Sequence, residues 1–76
     1  MSNYMIKFVT SAKPSAWHTI QIEGTMHQAK LAVARDLKTQ TNFDFAAGDY
    51  VVLFKLDENK YNAIGERHAN GWQMYQ

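Results

Sequence analysis

The sequence predicts an α+β fold: a five-stranded antiparallel sheet with one helix packed on one face, in the order β-β-α-β-β-β. Three observations carry that expectation. Short runs rich in aromatic and β-branched residues recur along the chain, the strongest being Tyr50-Val51-Val52-Leu53-Phe54-Lys55-Leu56. The one stretch with helical periodicity follows Gly24 and opens on the capping-box spacing Thr25-x-x-Gln28. Turn-forming residues, above all Asn70-Gly71, separate the later runs.

Tyr4 to Thr10 mixes aromatic and apolar residues and reads as the first strand. Ala12 to Ala16 holds the only proline, which has no amide proton for a ladder, so a connecting loop is expected there. Trp17 to Glu23 reads as a second strand, hairpin-paired with the first. Its His18, Ile20 and Ile22 share one face, and Trp17, Thr19, Gln21 and Glu23 the other. The helix is expected from Met26 to about Gln40, with Met26, Ala29, Val33, Leu37 and Gln40 forming the core stripe. His27, Leu31, Arg35 and Lys38 then point outward, with Lys30 and Asp36 on the two flanks.

A loop follows from Thr41 to Asp49, its Phe43 and Phe45 tucking back over the core. The nearly unbroken apolar run Tyr50 to Leu56 suits a central strand partly covered on both faces. Asp57 to Lys60 is a turn, and Tyr61 to Ala69 a fourth strand. Asn70-Gly71 predicts a type I′ turn, with positive φ at both residues, before a short fifth strand from Trp72 to Gln76. One helix does not cover five strands on both sides. Trp17 and some of Met5, Val51 and Leu53 are therefore expected on an open face, and exposed patches of that kind mark interfaces.

Composition narrows the function classes. Residues 1–76 allow a single domain, and a chain of that length buries only about 60% of the surface its unfolded form exposes. With no cysteine, neither a disulfide framework nor a cysteine zinc site supplements the core. Hydrophobic residues at 46% still favour a folded domain over a disordered segment. No apolar run approaches the roughly 18 residues of a membrane span. Met1-Ser2-Asn3-Tyr4 lacks the charged start of a signal peptide, which together with the absence of cysteine fits the cytosol. A net charge of +1 is too balanced for a dedicated nucleic-acid binder. The basic residues Lys30, Arg35 and Lys38 nevertheless gather on one segment.

No constellation for chemistry emerges. His18, His27 and His68 lack the spacing of a zinc site, so no metal or cofactor is expected. Ser2, Ser11 and Ser15 lie near the N-terminus or in a loop, without a nucleophile elbow. Asp44, Asp49, Asp57 and Glu58 fall in turns, where carboxylates serve local hydrogen bonds. The chain is therefore not expected to be an enzyme. Lys30, Arg35 and Lys38 suit phosphates or an acidic protein surface, and equally an ordinary solvated helix face. Leu31 reads either as an anchor for a partner or as a lone exposed leucine. Trp17, Trp72, Tyr61 and Tyr75 suit a stacking platform for bases or simple core filling.

Tyr4-x-Ile6-Lys7-x-Val9, Gln21-Ile22-Glu23 and Gln28-Ala29-Lys30, with Arg35 five residues further, resemble the pattern of small phage-encoded anti-CRISPR proteins of the type I-F kind. The resemblance covers residues 4–40, and the remainder only as architecture. It implies a stoichiometric inhibitor that docks on the backbone Cas subunits of a type I surveillance complex, in the cytoplasm of the infected bacterial host. Target DNA is then kept from pairing with the guide RNA, in a channel that holds nucleic acid by its backbone. It also implies that Tyr4, Lys30 and Arg35 face the complex, and the outward helix residues His27, Leu31 and Lys38 are expected beside them. Leu31 and Leu37 depart from the pattern, standing where a basic and a polar residue are expected, which leaves the subtype open. Such an inhibitor is expected to act as a monomer or weak dimer, with non-specific DNA contact possible. The rival expectations are a small nucleic-acid-binding module using the basic helix face, and a homodimeric module that buries the open sheet face.

Overall fold

The computed structural model describes residues 2–10, 17–39 and 43–75. The loop expected at 12–16, Ser11, Gln40 and Thr41 lie outside these, as do the side chains of Trp17 and His18. The elements are β1 (Ser2–Val9), β2 (Trp17–Gly24), α1 (Met26–Leu37), a 3₁₀ turn (Phe45–Ala47), β3 (Tyr50–Asp57), β4 (Lys60–His68) and β5 (Gly71–Met74). They form one antiparallel sheet in the order β2-β1-β3-β4-β5, with α1 on one face. The expected fold class is the observed one, β1 and β2 pair as a hairpin, and β3 is the central strand.

Strand alternation builds the core. Tyr4, Ile6 and Phe8 of β1 are buried beneath the helix, and β1 sets Ile6 against Leu53 and Phe8 against Val51 on β3. The helix contributes Ala29, Ala32 and Val33, whose small side chains let its backbone approach the sheet closely. Ile20, Ile22, Met26, Leu37, Phe43, Ile64 and Trp72 close the margins. Val51 and Leu53 are fully buried under the helix, which corrects their expected place on the open face. Their register with β1 decides it: from Tyr50 to Phe54 both sets of alternate residues are apolar, so pairing selects the inner one. Met5 does lie on the open face, opposite Phe54.

The junction from β2 to α1 is held by its capping box. The Gln28 N–H donates to Thr25 Oγ1 at 3.2 Å, and the Thr25 N–H donates to Gln28 Oε1 at 2.9 Å. Such a cap contributes about 1 kcal/mol. Gly24 makes room for it, since a Cβ there would fall where Gln28 Oε1 sits. The helix ends at Leu37, three residues short of the expected end. There the Thr39 hydroxyl donates to the Asp36 carbonyl at 2.9 Å, occupying an acceptor that a further turn would have used. Beyond it, Phe43 meets Phe8 edge-on at 5.7 Å and so folds back over the core, while Phe45 packs edge-on against Phe43 at 5.0 Å. Turn carboxylates hold that segment: Asp44 accepts from the Ala46 N–H and buried Asp49 from the Asp44 N–H, each at 2.9 Å.

The two later turns exchange the roles expected of them. Glu58 and Asn59 have φ of +51° and +67°, the type I′ pattern, and join β3 to β4. At the other turn Ala69 and Asn70 occupy the corner, because His68 pairs with Gly71. Of these only Gly71 has positive φ, at +125°, so Asn70-Gly71 does not form the type I′ turn. Glutamate in a left-handed conformation carries a penalty of about 1 kcal/mol that asparagine largely avoids. Glu58→Asn combined with Asn59→Gly is expected to raise stability by about 1 kcal/mol, read as a higher melting temperature.

A β-bulge interrupts β4. Leu53 pairs with Gly65 and Phe54 with Ala63, leaving Ile64 as an extra residue that packs on the core. The Ile64 carbonyl accepts from the Tyr75 N–H at 2.9 Å. Beyond the bulge the alternation is inverted, so Glu66 and His68 share the open face with Tyr61 and Ala63.

Candidate interaction surface

Periodicity places the expected site residues around α1. His27, Leu31, Arg35 and Lys38 are exposed, and Leu31, at 55%, is the most exposed large hydrophobic residue among those described. Lys30 and Arg35 lie about 140° apart around the helix axis, on opposite flanks. Lys30 is half-buried, with Nζ 5.4 Å from the centroid of the Trp72 ring, a cation–π contact that ties the helix to β5. Arg35 looks the other way, toward β2.

Tyr4 requires a correction. It is only 4% exposed and belongs to the core cluster, so the expected trio of Tyr4, Lys30 and Arg35 does not share one surface. The reason is parity: Lys7 must face outward, and Tyr4 lies three residues away, on the opposite face of β1. The structure instead brings together His27, Leu31, Arg35 and Lys38, with Lys30 to one side.

Between α1 and β2 runs a groove of about 450 Å³ lined by Ile22, Glu23, Gln28, Leu31, Ala32 and Arg35. It combines apolar Ile22, Leu31 and Ala32 with the Gln28 amide, the Glu23 carboxylate and the Arg35 guanidinium, a planar donor fork. The strand beside it is a sheet edge of eight residues, Trp17–Gly24, with Glu23 as its sole charge and no lysine or proline. Long edges without such protection are ready to pair with another chain.

The opposite face of the sheet is a second surface. No element covers it among the described residues, yet Met5, Val9, Tyr50, Val52, Phe54, Leu56 and Tyr61 on it are half-buried by their neighbours. Tyr50 stacks on His68 at 5.3 Å and 16°, and His68 Nε2 lies 3.7 Å from Glu66 Oε2. Partial burial, and a hydrogen bond from the phenol to Glu66, hold the Tyr75 hydroxyl above its ordinary pKa. The aromatic platform expected from Trp17, Trp72, Tyr61 and Tyr75 is not assembled: Tyr61 and Tyr75 are on this face, whereas Trp72 lies on the helix side. The members missed in the sequence, Val52, Phe54 and Leu56, are alternate residues of a run that is apolar as far as Phe54, and over that stretch it carries no parity signal of its own.

Among the described residues no group of three or more His, Asp or Glu side chains gathers as a metal site, and no helix is long and apolar enough to cross a membrane. No protein-family model, curated protein or solved structure matches the chain.

Proposed function

We propose that this chain is a non-enzymatic, stoichiometric inhibitor that binds a protein partner through the outer face of α1 and the groove against β2. The observation that carries a binding role is the juxtaposition of exposed Leu31 and Arg35 over that groove, beside an unpaired sheet edge. Arginine is among the residues enriched in interface hot spots, and Leu31 supplies exposed apolar surface beside it. The partner named by this reading is a backbone Cas subunit of a type I surveillance complex, in the cytoplasm of a phage-infected bacterium. That partner rests on the resemblance in residues 4–40 alone. Burial of Tyr4 removes one of the positions on which the resemblance places the contact, so Leu31 and Arg35 carry the docking. Bound beside the guide, a rigid sheet with its helix would obstruct the channel that the target strand must enter.

The test is to mix the chain with a purified type I surveillance complex and follow both co-elution and capture of target DNA. Co-elution with loss of DNA capture near equimolar ratio is expected. A complex that neither retains the chain nor loses DNA capture at large excess removes the CRISPR reading.

A further inference from the structure

We propose that the open face of the sheet is the contact of a weak, two-fold symmetric dimer, its occupant a second copy of this chain. The inference is independent of the docking surface on α1. Three features of the face support it. First, its centre is apolar and its margins are polar: Val52 and Phe54 lie on the central strand, with Thr19 and Gln73 at the two ends of the row through Val52. That is the anatomy of an interface, not of a solvated sheet.

Second, the charges on the row through Val52 are antisymmetric. Lys7 lies on β1 and Glu66 on β4, one strand to either side of Val52. A two-fold axis running along β3 between facing sheets superposes β1 of one copy on β4 of the other. Lys7 of each copy then meets Glu66 of the other, giving two identical ion pairs around a Val52–Val52 contact. The neighbouring row sets Met5 against Ala63 of the second copy, large against small, and Phe54 against Phe54. The bulge at Ile64 makes this possible, because it turns Glu66 onto the open face.

Third, the size is adequate. Five strands about 4.8 Å apart and eight residues at about 3.3 Å each span about 600 Å² in projection. A standard interface takes about 800 Å² per partner, so the dimer belongs to the weak class.

The decisive experiment uses charge-reversed copies in sedimentation or light scattering, from about 10 μM to about 1 mM chain. Wild type is expected to dimerise reversibly, and Phe54→Glu to remain monomeric with an unchanged far-UV spectrum. Lys7→Glu alone sets carboxylate against carboxylate at both contacts, and Glu66→Lys alone sets ammonium against ammonium. Each single variant therefore dimerises at least tenfold more weakly than wild type. Mixed together, the two variants pair attractively at both contacts and form a heterodimer. A wild type monomeric throughout, a dimer indifferent to Phe54→Glu, or a mixture no better associated than its components overturns the proposal. So does single-stranded nucleic acid bound by wild-type monomer and lost in Phe54→Glu, which would assign the face to bases.

Discussion

Phe8→Ala is expected to lower the stability of the domain by about 3–5 kcal/mol. Phe8 is among the largest fully buried side chains, and its ring is the first of a series. Phe43 meets it edge-on, Phe45 meets Phe43, and the Arg67 guanidinium lies 5.0 Å from the centroid of Phe45. Truncation therefore opens a cavity and removes the ring against which the segment after α1 folds. Phenylalanine-to-alanine changes in cores lose about 3–5 kcal/mol. At about 0.05–0.15 kcal/mol per residue, a domain of this length has about 4–11 kcal/mol in total. The loss is about a quarter to a half of the upper figure and consumes the lower one. Urea titration followed by circular dichroism measures it, with Phe8→Leu as the milder comparison. A shift under about 1 kcal/mol for Phe8→Ala would contradict this packing.

Leu31→Asp combined with Arg35→Glu is expected to abolish partner binding without touching the fold. Both side chains are exposed on α1, and exposed substitutions usually change stability by less than about 0.5 kcal/mol. At an interface the same change removes an apolar anchor and reverses the charge beside it. Losses of about 2–4 kcal/mol are typical of hot-spot residues, which is about 30-fold to 1,000-fold in affinity. Calorimetric titration against the surveillance complex, with thermal melts of the same samples, separates the two readouts. Lys30→Ala provides the contrast, since it removes the cation–π contact with Trp72, worth about 0.5–1 kcal/mol, and acts on the melt. Unchanged affinity in the double variant would move the docking site off α1.

What the sequence made legible is local. The capping box is a four-residue code from Thr25 to Gln28, and it formed as written. The β1–β2 hairpin and the central place of β3 followed from alternation and apolar run length. The misreadings arise where a distant partner decides. Tyr4 was readable in principle, because an outward Lys7 obliges Tyr4, Ile6 and Phe8 inward. In β3 no charge marks the faces until Lys55, so Val51 and Leu53 were assigned only by pairing with β1. Lys30 sits on a flank by periodicity alone, but its ring partner comes from β5. Turn propensity pointed to Asn70-Gly71, whereas strand pairing made Glu58-Asn59 the left-handed corner.

The bulge in β4 also says where this chain tolerates a change of length. Because Ala63 pairs with Phe54 and Gly65 with Leu53, excising Ile64 would close the ladder into an uninterrupted run. Every other side chain of β4 and β5 would keep its face, and the losses would be the packing of Ile64 on the core and the hydrogen bond its carbonyl accepts from the Tyr75 N–H. Excising a residue away from the bulge instead would slide the strand and exchange inward for outward residues. Residue 64 is thus a spacer in an otherwise regular strand, the one place in β4 where the chain could gain or shed a residue over evolutionary time without turning itself inside out.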